Sequence, residues 1–244
     1  MTVNSQKPHK IMIVGGGAAG LELASSLGKK LGKKGLAEVT LLDASQTHIW
    51  KPLLHEVASG VLDSAEEIEY LSQGHRNHFK FRLGHMVGLD RRKKEIHVGP
   101  TLSDSGEELI PRRTFSYDTL VMAVGSVSNT FGIEGVDQHC MFLDSTSQAF
   151  KFQKHLVETY MKAHFAKKRK SGPMLSIVIV GAGATGVELS AELHAVADML
   201  AVYGLDQSGD VKLTMIEGSP ELLPALPRKL AHATQHQLHL SLIH

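Results

Sequence analysis

The sequence has one cysteine and almost no net charge. Cys140 cannot form an intramolecular disulfide, and no paired CxxC pattern is present for structural zinc or dithiol chemistry. The 26 Lys and Arg residues balance 25 Asp and Glu residues, which excludes the strong field that gathers nucleic acid. We therefore expect a chain from a reducing, cytoplasmic-side compartment that binds no nucleic acid. We also expect Cys140 to be a buried or partly buried small apolar residue.

Long apolar runs are also absent. A helix that crosses a bilayer needs roughly 18 to 20 apolar residues, and no stretch approaches that length. The opening segment MTVNSQKPHK lacks the apolar region of a secretory signal. Because 42% of the 244 residues are apolar, the chain can nevertheless bury substantial cores, as one large domain or two smaller ones. We expect a globular protein that is neither secreted nor membrane-spanning.

An internal repeat organises the sequence. Residues 11–24, IMIVGGGAAGLELA, match residues 177–190, IVIVGAGATGVELS. Each copy begins with a β-branched run typical of a parallel strand that is buried on both faces. A glycine-rich turn follows, and then apolar residues recur with a helical period. The repeat predicts a strand, a tight turn and a helix, twice.

The glycines of both turns have the spacing of a dinucleotide-binding turn. The first glycine permits a sharp bend, the second lets a pyrophosphate approach the backbone, and the third lets the helix pack on the strand. Unpaired helix amides and the positive end of the helix dipole would then bind the phosphates. The predicted cofactor-binding residues of the turns are Gly15, Gly17, Ala18, Ala19 and Gly20 in the first copy and Gly181, Gly183, Ala184, Thr185 and Gly186 in the second.

An acidic residue ends the next apolar run in each copy. Asp43 follows residues 39–42, and Glu217 follows residues 211–216. This position suits a carboxylate that accepts hydrogen bonds from a ribose. A carboxylate repels a 2′-phosphate, and the residues after Glu217 supply no arginine to attract one, so NADH is favoured over NADPH. The alternative is that both acids merely end strands in solvent.

A chain with two such units resembles the two-dinucleotide-binding-domain flavoproteins of the pyridine nucleotide-disulphide oxidoreductase superfamily. The resemblance implies that FAD occupies the first unit and NAD(P)H the second. Residues 117–126, YDTLVMAVGS, resemble the superfamily's second flavin motif, which implies that Ala123 and Gly125 lie beside the flavin. By periodicity alone the same segment could be an ordinary buried strand.

Within this superfamily, the chain resembles bacterial type II NADH dehydrogenases from about residue 10 to about residue 226. The likeness rests on LDASQTHIWKPLLHEVASG, DTLVMAVGSVSN and GATGVELSAELH. It implies hydride transfer from NADH to FAD, and then electron transfer to a membrane quinone. It is also compatible with peripheral membrane contact on the cytoplasmic side and with a homodimer. The rival disulphide reductases carry a cysteine pair after the first motif, which this chain lacks.

The same resemblance implies further site residues. Lys51, Pro52, Leu53 and the following Leu54 would lie along the flavin, and Met86 would offer backbone groups to the adenine. Glu188 would be a catalytic carboxylate close to where nicotinamide meets flavin. The alternative for Glu188 is that an acidic residue in a first helical turn only complements the helix dipole.

We therefore predict an α/β fold of two Rossmann-like dinucleotide-binding units, the second incomplete. The predicted divisions are an FAD-binding domain at residues 1–135, a connecting segment at 136–172 and an NADH-binding domain at 173–244. The charged stretch 167–173 would approach the second strand as a linker. Residues 203–210 would lengthen the connection to Glu217.

The last residues depart from the family pattern. After LLPALP the family continues with a helix, further strands and a flavin-closing Gly-Asp motif, whereas this chain has HATQHQLHLSLIH. We expect a C-terminally truncated chain with an irregular tail, apolar sheet faces left uncovered, and no metal site at His232, His236 and His239. Two alternatives stay open: a non-catalytic fragment, or another FAD-dependent NAD(P)H oxidoreductase of the superfamily.

Overall fold

A computed structural model describes residues 7–62, 68–103, 105–166, 175–200 and 211–242. The chain forms two compact units. Unit 1 comprises Met1–Lys51 and Ala65–Val127, and unit 2 comprises Pro52–Ser64 and Ser128–His244. The predicted linker at 167–173 and the predicted insertion at 203–210 lie outside the described residues. The functional division at residues 135 and 172 stays a prediction.

Unit 1 contains most of the strands. They are β1 (His9–Val14), β2 (Ala37–Asp43), β3 (Thr47–His48), β4 (Ile68–Glu69), β5 (Lys80–Leu83), β6 (Met86–Asp90), β7 (Glu95–Val98), β8 (Thr101–Leu102), β9 (Glu108–Ile110), β10 (Arg113–Ser116) and β11 (Thr119–Met122). The main sheet has the order β11-β1-β2-β5, and all three pairings are parallel. A second, antiparallel sheet has the order β10-β7-β6. The pairs β3-β4 and β8-β9 are also antiparallel.

The helices alternate with these strands and continue into unit 2. They are α1 (Ala18–Leu27), α2 (Leu54–Ser59), α3 (Tyr70–Asn77), α4 (Val136–His139), α5 (Thr146–Ala166), α6 (Ala184–Leu200) and α7 (Arg228–Leu242). A π-helical turn, Gly28–Gly32, extends α1, and a 3-10 helix, Lys51–Leu53, precedes α2. Unit 2 adds two strands, β12 (Leu175–Val180) and β13 (Val211–Ile216).

The core of unit 1 lies on both faces of β1, as predicted for a buried parallel strand. Successive side chains of a strand point to opposite faces. Ile11 and Ile13 join the cluster under α1 and α3, whereas Met12 and Val14 join the cluster formed with the antiparallel sheet. Each of these four side chains is at most 8% exposed. The buried sheet therefore fixes the carboxyl end of β1 firmly.

The strand of the second repeat differs from this prediction. β12 and β13 pair in parallel, but Val178 is 55% exposed and Val180 is 72% exposed, while Ile179 between them is buried. Ile216 of β13 is also 52% exposed. Helix α6 contacts both strands, so it accounts for the one buried face. The expectation of burial on both faces was wrong for β12. The expectation that both sheets leave apolar faces uncovered is met at β12 in the described part of unit 2, but it was wrong for β1 in unit 1, which is buried on both faces.

The exposed face of β12 gives a stability prediction. Replacing Val178 and Val180 together with threonine should leave the free energy of unfolding within about 0.5 kcal/mol of wild type, because exposed side chains contribute little. Threonine keeps the strand preference. Self-association should fall, as measured by light scattering over a concentration series, because the apolar patch is interrupted. The control Ile179→Thr, which places a hydroxyl in the core, should cost about 2 kcal/mol. Unchanged scattering for the double variant would contradict this account.

The C-terminal segment is helical, so the prediction of an irregular tail was wrong. The Pro227 carbonyl accepts hydrogen bonds from Leu230 N–H at 2.8 Å and from Ala231 N–H at 3.3 Å. A proline suits the start of a helix because it needs no N–H partner there. No glycine or proline follows within α7, whose leucine, alanine, glutamine and lysine favour a helix. Within the described ranges, no group of three or more His, Cys, Asp or Glu residues could hold a metal ion.

Cys140 is exposed, which corrects the expectation of a buried thiol. It follows α4, a four-residue helix in which no residue is buried. A short, fully surface helix offers no core for the thiol to enter. Among the described residues, no helix has both the length and the apolar content that a bilayer span needs.

Candidate dinucleotide-binding sites

The first glycine-rich turn has the shape that a pyrophosphate needs. Gly15 has φ +101°, and a Cβ there would overlap the Ala123 carbonyl group. A Cβ on Gly20 would overlap the Gly15 carbonyl oxygen, so α1 can lie this close to β1 only with glycine at that position. A Cβ on Gly17 would have no other atom within 4 Å. The turn is therefore tight on its protein side and open at Gly17.

The second turn repeats this geometry in unit 2. Gly181 has φ +104°, and a Cβ on Gly186 would overlap the Gly181 carbonyl oxygen. A Cβ on Gly183 would again have no other atom within 4 Å. Both turns place an open glycine directly before a helix N-terminus.

The helix amides that follow the open glycines are available for phosphate. The first intrahelical donors are Leu21 N–H, which bonds the Gly17 carbonyl at 2.9 Å, and Val187 N–H, which bonds the Gly183 carbonyl at 3.1 Å. The earlier amides belong to residues 18–20 and 184–186, and a helix leaves such amides without intrahelical partners. They include the predicted Ala18, Ala19, Ala184 and Thr185. Such amides, with the helix dipole, form an anion site.

The two predicted ribose carboxylates reach the turns directly. Asp43, the last residue of β2, accepts a hydrogen bond from Gly16 N–H at 2.6 Å and one from Ser45 N–H at 2.8 Å. Glu217, which follows β13, accepts from Ala182 N–H at 2.7 Å and from Ser219 N–H at 2.9 Å. Each carboxylate thus accepts a hydrogen bond from the backbone amide of the residue after the first glycine of its own turn.

These hydrogen bonds affect the charge of Glu217. The amides of Ser219 and Ala182 hold the pKa of the Glu217 carboxyl below its usual value. Hydrogen bonds to a carboxylate favour its ionised form. Glu217 is therefore a charged hydrogen-bond acceptor at neutral pH.

The lowered pKa of Glu217 predicts a pH dependence. A carboxyl whose pKa is lower in the folded state contributes stability above its unfolded pKa, and that contribution disappears as pH falls through the folded-state value. We expect the Tm difference between wild type and Glu217→Gln to be constant above about pH 5 and to shrink as pH falls below about 4. Thermal melts of both proteins across this range would check it. A difference that stays constant into acid would contradict the assignment.

The proposed second flavin motif lies against the first turn. The Ala123 N–H bonds the Val14 carbonyl at 2.7 Å, which carries β11 alongside the end of β1. Gly125 has φ +73°, so the chain turns sharply after this strand. The Lys51 ammonium donates to the Ser126 carbonyl at 2.7 Å. Unit 1 therefore brings Gly15, Ala123 and Lys51 to one edge of the main sheet, although they are far apart in sequence.

Four other predicted residues are placed less specifically. Met86 begins β6, two residues after Gly84, whose N–H bonds the Asp43 carbonyl at 2.8 Å. Pro52 is exposed and Leu53 is half-buried in the 3-10 helix, and Leu54 is buried at the start of α2. Met86 therefore lies close in the fold to Asp43, while the roles of Met86, Pro52, Leu53 and Leu54 stay predictions.

Glu188 has a partner that the sequence did not reveal. It lies in the second turn of α6, and its Oε2 is 3.4 Å from Nδ1 of His55. The His55 side chain is only 10% exposed, whereas that of Glu188 is 48% exposed. His55 belongs to α2, which packs against α5 and α6 within unit 2. A buried imidazole therefore lies beside a carboxylate that is about half exposed.

The comparisons with known proteins agree with this geometry. The family model described as pyridine nucleotide-disulphide oxidoreductase matches residues 9–242. A type II NADH:quinone oxidoreductase of Haemophilus influenzae is 41% identical over 243 residues, which cover 93% of this chain and 55% of that protein. One of Staphylococcus epidermidis is 31% identical over 222 residues, with coverages of 90% and 52%. The chain thus spans about half the length of the curated relatives it matches.

A solved structure has the same fold. NDH2 of Plasmodium falciparum, solved in complex with NADH, has a TM-score of 0.80 and 24% identity, and the match covers 97% of this chain and 47% of that one. The predicted α/β fold with Rossmann-like units is confirmed, and so is the likeness to type II NADH dehydrogenases. The chain belongs to the pyridine nucleotide-disulphide oxidoreductase family.

Proposed function

We propose that the chain carries the FAD-binding and NADH-binding units of a type II NADH:quinone oxidoreductase. One observation carries the proposal: the same open turn, with a carboxylate bonded to it, occurs once in each unit. Two nucleotide sites in one chain suit an enzyme that moves electrons between two dinucleotides. The relatives named as NADH:quinone oxidoreductases support the same reaction.

FAD is assigned to unit 1. The open side of Gly17 leaves room for a pyrophosphate, and Asp43, which is hydrogen-bonded to the same turn, would accept from a ribose. Unit 1 also holds Ala123, Gly125 and Lys51, the residues expected along the isoalloxazine. When bound there, the flavin would accept a hydride from NADH and pass two electrons to a quinone. The protein contributes the turn, the carboxylate and the Lys51 ammonium, which bind and orient.

NADH is assigned to unit 2. Gly183 and the amides after it would hold the pyrophosphate, and the Glu217 carboxylate would accept from the adenosine ribose. Glu188 would stand beside the nicotinamide as the catalytic carboxylate, held by His55. The supporting observation is that His55 is buried while Glu188 is partly open, which leaves Glu188 free to contact a ligand on one side.

The membrane quinone is the proposed electron acceptor. The names of the relatives support it. The proposal extends to peripheral attachment at the cytoplasmic face of the membrane and to a homodimer, both of which rest on the resemblance. Nucleic acid is not among the proposed partners.

Anaerobic reduction tests the proposed function. The purified chain is supplied with FAD, freed of excess cofactor and mixed with NADH while the visible flavin absorbance is followed. The expected result is bound flavin that bleaches with NADH and recovers when a quinone analogue is added. Flavin that never binds would favour a non-catalytic fragment. Recovery with oxygen or a protein carrier, but not with the quinone analogue, would favour another oxidoreductase of the superfamily.

A further inference from the structure

Both backbone polar groups of Gly16 are hydrogen-bonded. Its N–H donates to Asp43 Oδ2 at 2.6 Å, and its carbonyl accepts from the Tyr70 hydroxyl at 2.8 Å. Gly16 lies between Gly15 and Gly17, in the middle of the turn assigned to the FAD pyrophosphate. A contact on Gly16 therefore acts on the part of the backbone that the phosphates would approach.

Tyr70 is well fixed to make this contact. It is the first residue of α3 and is 2% exposed. Its ring stacks on Phe81, with centroids 4.9 Å apart, and lies 6.1 Å from the ring of His48. Burial, followed by the charge of Asp43, raises the pKa of the phenol, so it stays a protonated donor. Packing fixes the ring, and the hydroxyl points at one acceptor.

The size of residue 16 fits this arrangement. A Cβ on Gly16 would overlap the hydroxyl end of Tyr70. The equivalent residue of the second turn is Ala182, which is fully buried and does carry a Cβ. Tyr70 therefore occupies, in unit 1, space that a side chain occupies in unit 2.

In unit 2 the equivalent residue, Ala182, is hydrogen-bonded in the same way, but a different donor bonds its carbonyl. The Ala182 N–H donates to Glu217 Oε2 at 2.7 Å, and the Ala182 carbonyl accepts from the Leu223 N–H at 2.8 Å. Leu223 is buried and has φ +50°. A phenol in unit 1 and a backbone amide in unit 2, from unrelated segments, thus bond the carbonyl of the equivalent residue in each turn. The shared target is the turn itself.

We propose that Tyr70 is a positioning residue for FAD. Its hydroxyl fixes the Gly16 carbonyl, and with it the peptide group that joins Gly16 to Gly17, so that the amides after Gly17 stay directed at the pyrophosphate. This rests on the proposed assignment of FAD to unit 1. Tyr70 acts through Gly16 and does not touch the cofactor. A turn held in its bound shape loses less conformational freedom when the ligand arrives, which raises affinity.

The test is Tyr70→Phe in the full chain. Phenylalanine keeps the ring and its stacking on Phe81 and removes only the donor. We expect the Kd for FAD to rise about tenfold, because a buried carbonyl loses its partner and the turn loosens. The Kd for NADH should stay close to wild type, while the urea midpoint of the cofactor-free protein should fall slightly, because the buried Gly16 carbonyl loses its partner. FAD fluorescence, NADH fluorescence and urea unfolding give the three readouts.

A matched control is available in unit 2. Tyr160 is 5% exposed, and its hydroxyl has no hydrogen-bond partner among the described residues. Tyr160→Phe therefore removes a buried hydroxyl without breaking a bond, and its Kd for FAD should equal that of wild type. An equal loss of FAD affinity in both variants would overturn the proposal.

Other outcomes are equally decisive. A Kd for FAD within twofold of wild type in Tyr70→Phe would overturn the positioning role while leaving the FAD assignment intact. A fall in FAD affinity that is matched by an equal fall in NADH affinity would assign Tyr70 to the general stability of the chain and not to the first turn, and would also overturn the proposal. If wild type itself binds no FAD, the proposed function fails and the inference fails with it.

Discussion

Replacing Gly17 with leucine should reduce FAD affinity by about 100-fold or more while leaving unit 1 folded. Gly17 has φ −60° and ψ −174°, a backbone conformation that leucine adopts without strain. A Cβ at this position would have no other atom within 4 Å, so the leucine side chain can extend from the turn without a clash at its Cβ. It instead fills the space in front of the helix amides. Each lost charge-assisted hydrogen bond to phosphate costs about 1.5 to 3 kcal/mol, so two suffice for this effect.

The control for Gly17→Leu is the same change at Gly183, which is equally open. Gly183→Leu should leave the Kd for FAD unchanged and should abolish NADH binding. The two variants together assign each cofactor to a unit, because one change at equivalent positions affects different ligands. Fluorescence titrations with FAD and with NADH measure both. Loss of FAD binding in Gly183→Leu, with retention in Gly17→Leu, would reverse the assignment.

Replacing Glu217 with glutamine should reduce the selectivity for NADH over NADPH by about 100-fold, where selectivity is the ratio of the two Kd values. The Kd for NADH should rise about tenfold, because a neutral amide accepts more weakly from ribose hydroxyls than a carboxylate does. The Kd for NADPH should fall, because the repulsion between carboxylate and 2′-phosphate is removed. Glutamine preserves the size of the side chain and an oxygen for the Ala182 amide.

Asp43→Asn is the matched control for Glu217→Gln. Asp43 makes the same contact with its own turn in unit 1. The variant should weaken FAD and leave the ratio of NADH to NADPH affinity as in wild type. An unchanged ratio in Glu217→Gln would show that Glu217 only ends its strand, which is the alternative that the sequence left open.

The repeat made both turns predictable. Strand, glycine spacing, helix and acidic residue all lie within one local pattern, and β1, α1, β12 and α6 form where that pattern places them. The buried faces of β1 follow from its position inside a four-stranded sheet. The same pattern overestimated the burial of β12, because the burial of a strand depends on which elements cover it and not on its own residues.

The residues that hold the turns could not be found in this way. Tyr70 and Gly16 are 54 positions apart, and His55 meets Glu188 across an even longer separation. No periodicity links such pairs, because the contacts arise only when α3 packs beside the main sheet and α2 packs on α6. The signal that was available is location: His55 lies in the segment LDASQTHIWKPLLHEVASG that carried the family resemblance.

The assignment of one cofactor to each unit requires that FAD and NADH bind the chain at the same time. Equilibrium titration of the full chain with FAD, with NADH, and with NADH after saturation by FAD would measure it under anaerobic conditions. We expect one site for each ligand, with NADH binding to the FAD-loaded chain without displacing the flavin. Competition of FAD and NADH for a single site would contradict the assignment of one cofactor to each unit.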